Sequence, residues 1–131
     1  MNLNTSVRYG MIAMGYMAKQ TDAPWVLTED ISKEFDIPYA FLLKIMFRLA
    51  QAGILRSKRG PQGGFSLAQP AKEISLLEII EAVEGSLKNI DGIAEQAKKQ
   101  KFAVNMEAIC AKAADQGMAI LKKAKLSDLV K

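Results

Sequence analysis

Seven consecutive residues, Lys58-Arg59-Gly60-Pro61-Gln62-Gly63-Gly64, constrain the fold of this chain more than any other stretch. Three glycines and a proline within seven residues rule out the interior of a helix or a central strand. Glycine tolerates positive φ and proline fixes one bend, so the segment is a tight turn whose backbone can approach another surface closely. The chain can extend on either side. Ile54 to Ser57 before the turn and Phe65 to Leu67 after it are strand candidates, which predicts a β-hairpin with Lys58 and Arg59 held out at its tip.

What precedes the hairpin reads as helices. From Asn4 to about Lys19, Val7, Met11, Met14 and Ala18 recur at helical spacing with Ile12 beside them; Asn4 or Thr5 can cap the start, and Asp22-Ala23-Pro24 ends the segment. A short helix begins near Thr28, read as its N-cap. Glu29 and Asp30 lie in its first turn, where the helix dipole favours acids, and Ile31 and Phe35 form its buried face. Asp36-Ile37-Pro38 breaks the chain, because a residue before proline avoids the α region. Pro38 then suits the first turn of a third helix that runs to about Ala52 and stops at Gly53. Leu42, Ile45 and Leu49 make its apolar stripe, while Lys44 and Arg48, four apart, share another face. Two short helices joined by a tight break, the second longer and basic, form a helix-turn-helix; followed at once by a hairpin, they form a winged helix.

Charge is distributed to match. Lys and Arg exceed Asp and Glu by 18 to 14, a net charge of +4. Between Ile37 and Lys72 there is no acid at all, against six cations: Lys44, Arg48, Arg56, Lys58, Arg59 and Lys72. An acid-free window is either a solvated face or a surface for a polyanion.

Downstream, Ser75 caps a helix to about Val83, with Leu76, Ile79, Ile80 and Val83 inside, Glu78, Glu81 and Glu84 outside, and Gly85 at its end. Ser86 to Lys101 is polar and lysine-rich. The last long helix is predicted over Val104 to Lys123. Ile109, Ala113, Gly117, Ile120 and Ala124 form one stripe on it, widened by Met106, Cys110, Ala114, Met118 and Leu121. So wide an apolar face needs more partner surface than a small winged domain offers. Gly117, which costs about 1 kcal/mol in a helix interior, fits two backbones in close approach. Leu126-Ser127-Asp128-Leu129 reads as a terminal helical turn that packs back on the domain. The expected fold is mostly α with a small β-hairpin wing: a winged helix-turn-helix over residues 1–85, then a linker and long dimerisation helix over 86–131, as one compact unit.

Several function classes are excluded. The chain has no histidine and one cysteine, Cys110, so it lacks the commonest general base, the commonest metal ligand and any intrachain disulfide. It has no nucleophile elbow and no phosphate-loop Gly-Lys-Ser/Thr motif, and its glycine-rich stretch does not open a helix, so an enzyme is not expected. No signal-peptide core and no long apolar run is present, which points to a cytoplasmic protein with no membrane partner.

The segments "NTSVRYG" at Asn4–Gly10, "RGPQGGFSLAQPAKEISLLEIIEAVEG" at Arg59–Gly85 and "KLSDLV" at Lys125–Val130 together resemble the Rrf2 family of bacterial transcription regulators. The resemblance covers almost the whole chain, and the Arg-Gly-Pro-x-Gly-Gly-aromatic wing and the following Leu-x-Glu-Ile-Ile-x-Ala-Val-Glu helix are its specific parts. It implies a homodimer whose long helix crosses the partner's copy and whose recognition helices enter successive major grooves of a near-palindromic double-stranded operator. It places Arg59 at the minor groove, with Gly60, Gly63 and Gly64 shaping the loop and Lys58 and Gln62 beside it. Tyr39, Ala40, Leu43 and Lys44 fall where the recognition helix meets base edges, with Arg48 one turn further on. Relatives carry Ser, Glu or Gln at these reading positions, so base reading here is expected to be thinner. Cluster-binding members also carry three cysteines ahead of the long helix. The corresponding stretch, roughly Gly85 to Val104, has none, and no cofactor is expected.

Plainer readings stand beside these. Lys58 and Arg59 could simply keep a hairpin solvated, and Lys44 and Arg48 could be snorkelling surface cations. Met11, Met14, Met17 and Met46 read as core filler rather than a ligand site, and Trp25 as a packing residue rather than part of a pocket. Cys110 reads as a small apolar residue, with an intersubunit thiol switch as the sharper alternative. The functional expectation is a sequence-specific, homodimeric DNA-binding regulator, a repressor by its steric mechanism, with an effector that is a metabolite, a partner enzyme or thiol oxidation. A winged module that keeps the fold for protein contacts but has lost DNA binding is the alternative.

Overall fold

A computed structural model describes residues 3–20, 24–87 and 92–130. Helix α1 (Thr5–Lys19) begins where the Asn4 side chain accepts a hydrogen bond from the Val7 amide at 2.9 Å. Its buried side is Val7, Gly10, Ala13, Met14 and Met17, while Met11 and Ala18 are only half-buried and Ile12 is exposed. The core stripe is thus rotated from the predicted one, and Gly10 is the reason. A Cβ there would meet Val83 Cγ2 at 3.0 Å and Ile45 Cγ2 at 3.4 Å, so α1 settles onto its neighbours through its glycine. Of the predicted break at Asp22-Ala23-Pro24, Asp22 and Ala23 lie outside the described residues.

Helices α2 (Thr28–Phe35) and α3 (Tyr39–Gln51) form the helix-turn-helix. Asp36 turns the chain in the left-handed region at φ 53°, and Pro38 sits at the cap position of α3. Leu42, Ile45, Met46 and Leu49 are buried, as the periodicity requires. Two expectations about α2 are corrected. Thr28 is the first helical residue, not the cap: Leu27 holds that place, and no side chain caps α2. The cause is an extended bridge just upstream, where Val26 and Phe65 exchange two backbone hydrogen bonds of 2.8 Å and hold the chain as a strand up to Leu27. Phe35 is not core either. It is 44% exposed and packs its ring edge-on against Tyr16, leaving Ile31 as the buried anchor.

Strands β1 (Leu55–Lys58) and β2 (Gly64–Leu67) pair antiparallel, Leu55 opposite Leu67 and Lys58 opposite Gly64. Against the expected strands, β1 is shifted one residue toward the turn and β2 is lengthened by one residue toward it, so Lys58 belongs to the strand. After a 3₁₀ turn at Ala71–Glu73, α4 (Leu76–Glu84) starts at Ser75, whose hydroxyl accepts from the Glu78 amide at 3.1 Å. Ile79, Ile80 and Val83 face the core, whereas Leu76, expected with them, is only half-buried at the first turn, and Gly85 closes α4 at φ 93°. A short α5 (Ile93–Gln96) precedes α6 (Lys101–Lys123), which begins three residues before the predicted start at Val104 because Ala103 is fully buried within its first turn. Finally α7 (Leu126–Leu129) docks back on the domain: the Leu126 amide donates to the Ile74 carbonyl at 2.8 Å, the Leu76 amide donates to the Ala124 carbonyl at 2.9 Å, and Leu126 is buried.

One core unites these elements. Met14, Ile31, Leu42, Ile45, Met46, Leu49, Ile74, Ile79, Ile80 and Leu126 are its largest fully buried side chains. Met14, Met17 and Met46 are packed inside it, in keeping with the filler role of methionine. Among the described residues, no helix is long and apolar enough to cross a membrane.

Candidate nucleic-acid interface

The buried side of α3 determines what its other side offers. With Leu42, Ile45, Met46 and Leu49 inside, the helical period turns Ala40, Leu43, Lys44 and Phe47 outward. Ala40 and Lys44 are exposed, Leu43 is half-buried, Phe47 is 49% exposed and Tyr39, at the first turn, 50%. Phe47 is steadied by the wing, its ring lying edge-on to Phe65 at 5.3 Å between centroids.

The wing is built by glycines that fit only as glycines. The Gly63 amide donates to the Gly60 carbonyl at 2.9 Å, closing a turn with Pro61 and Gln62 at its corners. A Cβ on Gly63 would lie 2.1 Å from the Lys58 carbonyl oxygen, and one on Gly64 would lie 2.4 Å from that of Val26. The close approaches are therefore to the chain's own backbone. Gly63 is buried, and Gly60 adopts φ 102°, so both act by shaping the turn, while Arg59 and Gln62 remain exposed on it. Below the wing, Trp25 seats two of its cations: Lys58 Nζ lies 5.5 Å and the Arg56 guanidinium 5.8 Å from the indole centroid. A cation over an aromatic face is held there electrostatically.

Between α3, the start of α2 and the wing lies a cleft of about 290 Å³, lined among others by Tyr39, Leu43, Phe47, Lys58, Arg59 and Phe65. No carboxylate among the described residues pairs with Lys44, Lys58 or Arg59. Glu29 also reaches the cleft, but it is paired with Lys33 at 2.9 Å, and its hydrogen bond and charge hold the Lys33 ammonium above the ordinary lysine range. Thr28, 5% exposed, keeps a hydroxyl without a hydrogen-bond partner at the cleft's base.

Arg48 stands apart from this group. Its guanidinium donates to the Val83 carbonyl at 3.1 Å and so caps the last turn of α4. The predicted dimer residues divide as well. Ile109 and Ile120 are 69% and 70% exposed and Ala113 is exposed, whereas Cys110, Gly117, Leu121 and Ala124 are half-buried. Ala103 and Met118 are buried on a helix that packs against α4. Phe102, Met106, Ile109, Ala113 and Ile120 thus leave an apolar ridge in solvent, with 4-3 spacing over Phe102 to Ala113. Phe47 and the cation seat on Trp25 are absent from the sequence expectations. The first was signalled by its place opposite the 42–45–49 stripe; the second depends on strand placement that periodicity does not carry.

Comparison with known proteins agrees with this geometry. The profile of the Rrf2 family, described as iron-dependent transcriptional regulators, matches residues 3–131. A candidate HTH-type transcriptional regulator of Aquifex aeolicus is 37% identical over 105 residues, covering 80% of this chain and 72% of that protein. The HTH-type transcriptional regulator IscR of Cereibacter sphaeroides is 38% identical over 86 residues, covering 64% of this chain but only 56% of its own length. The structure of CymR, the global cysteine regulator of B. subtilis, superposes with a TM-score of 0.79 at 23% identity, covering 99% of this chain and 96% of that one, which speaks for the fold. The donor set here does not fit an iron site of the thiolate kind. One cysteine and no histidine are present in the whole chain, and among the described residues no three His, Cys, Asp or Glu side chains gather as a metal site would need.

Proposed function

The chain belongs to the Rrf2 family of DNA-binding transcription regulators, and we propose that it is a homodimeric repressor that grips a near-palindromic operator through two copies of the α3–wing face and works without an iron–sulfur cluster. The observation that carries the DNA part is the set of cations Lys44, Lys58 and Arg59, without a carboxylate partner among the described residues, around an exposed recognition helix. α3 enters the major groove, and Arg59 at the wing tip reaches phosphate or the adjacent minor groove. Tyr39, Ala40, Leu43, Gln62 and the Gly60–Gly63 turn lie at the contact, while Arg48 serves the fold. Ridges of α6 from two protomers cover one another around Ile109, Ala113, Gly117 and Ile120, with Cys110, Leu121 and Ala124 at the margin. Bound DNA is denied to polymerase, and an effector acts by changing the spacing of the two recognition helices. The protein works in the cytoplasm, where its operator is.

The test is the salt dependence of binding to a fluorescent duplex. Three cations per protomer, six per dimer, give a slope of log K against log salt of roughly −5. A flat response would instead favour the protein-contact module.

A further inference from the structure

The outward face of α3 has one charged hydrogen-bond donor, Lys44, and the Tyr39 hydroxyl at its first turn, where a base-reading helix needs several paired groups. Ala40, Leu43, Lys44 and Phe47 stand at i, i+3, i+4 and i+7 and form one continuous patch. Three of the four are apolar. Purine edges are read by the donors of Arg or Lys on guanine and by the paired donor and acceptor of Asn or Gln on adenine. Of these the patch has Lys44 alone: Arg48 lies outside the i, i+3, i+4, i+7 strip and leans toward the end of α4, where it donates to the Val83 carbonyl, and Gln51 lies at the C-terminal end of α3, away from the N-terminal turns that meet bases. Apolar groups left in solvent beside cations call for a partner that is anionic outside and offers apolar points within. Lys44 sits inside the strip, and Lys58 and Arg59 face it across the cleft. The major groove provides such a surface, because each thymine projects a C5-methyl between the phosphate rails.

We propose that Ala40, Leu43 and Phe47 read thymine methyl groups, so that the half-site under α3 is recognised by where its methyls stand more than by hydrogen bonds to purines. This rests on the DNA-binding reading above. Lys44 then supplies charge and at most one base contact, and Phe47, braced by Phe65, fixes the outer edge of the apolar strip.

The experiment starts with selection of duplexes from a random-sequence pool by the full-length protein. The winning duplex is then remade with deoxyuridine in place of each thymine in turn, which removes only the methyl. At one or more positions in each half-site, this change should weaken binding about threefold to fourfold, the factor expected for burial of one CH₂-sized group. The penalty should shrink in Leu43→Ala or Phe47→Ala and persist in Lys44→Gln. The deoxyuridine scan on the wild-type protein decides the matter even if one of these variants folds poorly. No sensitive thymine, or a penalty unchanged in both apolar variants, overturns the inference. Salt-dependent binding without any enriched sequence overturns it too, while leaving DNA binding intact. Absence of binding at any salt sinks the regulator reading itself, and the inference with it.

Discussion

Helices α3 and α6 both leave large apolar side chains in water, yet their surroundings differ. On α3, the exposed Phe47 and half-buried Leu43 belong to a stretch without a single acid from Ile37 to Lys72, and the one carboxylate lining their cleft, Glu29, is paired with Lys33. On α6, Ile109 and Ile120 stand among charges of both signs, with Glu107 and Asp115 interleaved with Lys112 and Lys122. Exposed hydrophobicity alone marks a contact surface without naming the partner. The charge around it does so here. A border with an excess of unpaired cations suits a polyanion, whereas a mixed border can pair with its own copy across a two-fold axis, where each charge can meet one of opposite sign.

The largest effect is expected at α6. Replacing Ile120 with Glu places a carboxylate in the proposed seam, and an unpaired buried charge costs about 3–5 kcal/mol. The variant should sediment as a monomer. Without the second half-site, operator binding should weaken by a factor on the order of 10² to 10⁴. Next comes the wing: Arg59→Ala should cost roughly 1–3 kcal/mol of operator binding while leaving the circular dichroism spectrum unchanged, because the side chain stands on an exposed turn. A smaller effect is expected on α3. Lys44→Gln should lower the magnitude of the salt slope by about 1 for each phosphate interaction removed, or about 2 for the dimer. The smallest effect is expected at Cys110. Cys110→Ala should bind DNA as the parent does, with reductant or mild oxidant alike, and anaerobically reconstituted parent protein should stay colourless and free of stoichiometric iron. Binding abolished by oxidation and restored by the substitution would show a thiol switch instead.

Much of this architecture is readable from residue spacing, because a helix that buries one face writes its period into the chain. The buried sets of α3 and α4 follow from Leu42, Ile45, Leu49 and from Ile79, Ile80, Val83, with Leu76, expected beside the latter, left half-buried at the first turn. The misses share a cause in contacts between distant segments. Thr28 has the chemistry of a cap but yields the position to Leu27, because Val26 is held extended by Phe65, thirty-nine residues later. Gly10 rotates the buried side of α1 through its fit to Val83 and Ile45. The hydrogen bond from Arg48 to the Val83 carbonyl at the end of α4 is likewise one that no local pattern announces. At the site, the wing was legible because glycine and proline act locally. The apolar character of the reading face could be seen in the residues themselves, but its cleft against the wing could not.

The most direct test of the claim that surrounding charge selects the partner is sedimentation velocity of the protein mixed with a selected duplex as salt is raised from about 0.1 M, where the Debye length is about 10 Å, to 1 M, where it is about 3 Å. Two chains per duplex are expected at the start, then release of the DNA while the protein remains a dimer, since screening weakens the cation face and leaves the apolar seam intact. A complex with one chain per duplex, or a dimer that falls apart before the DNA is released, would contradict it.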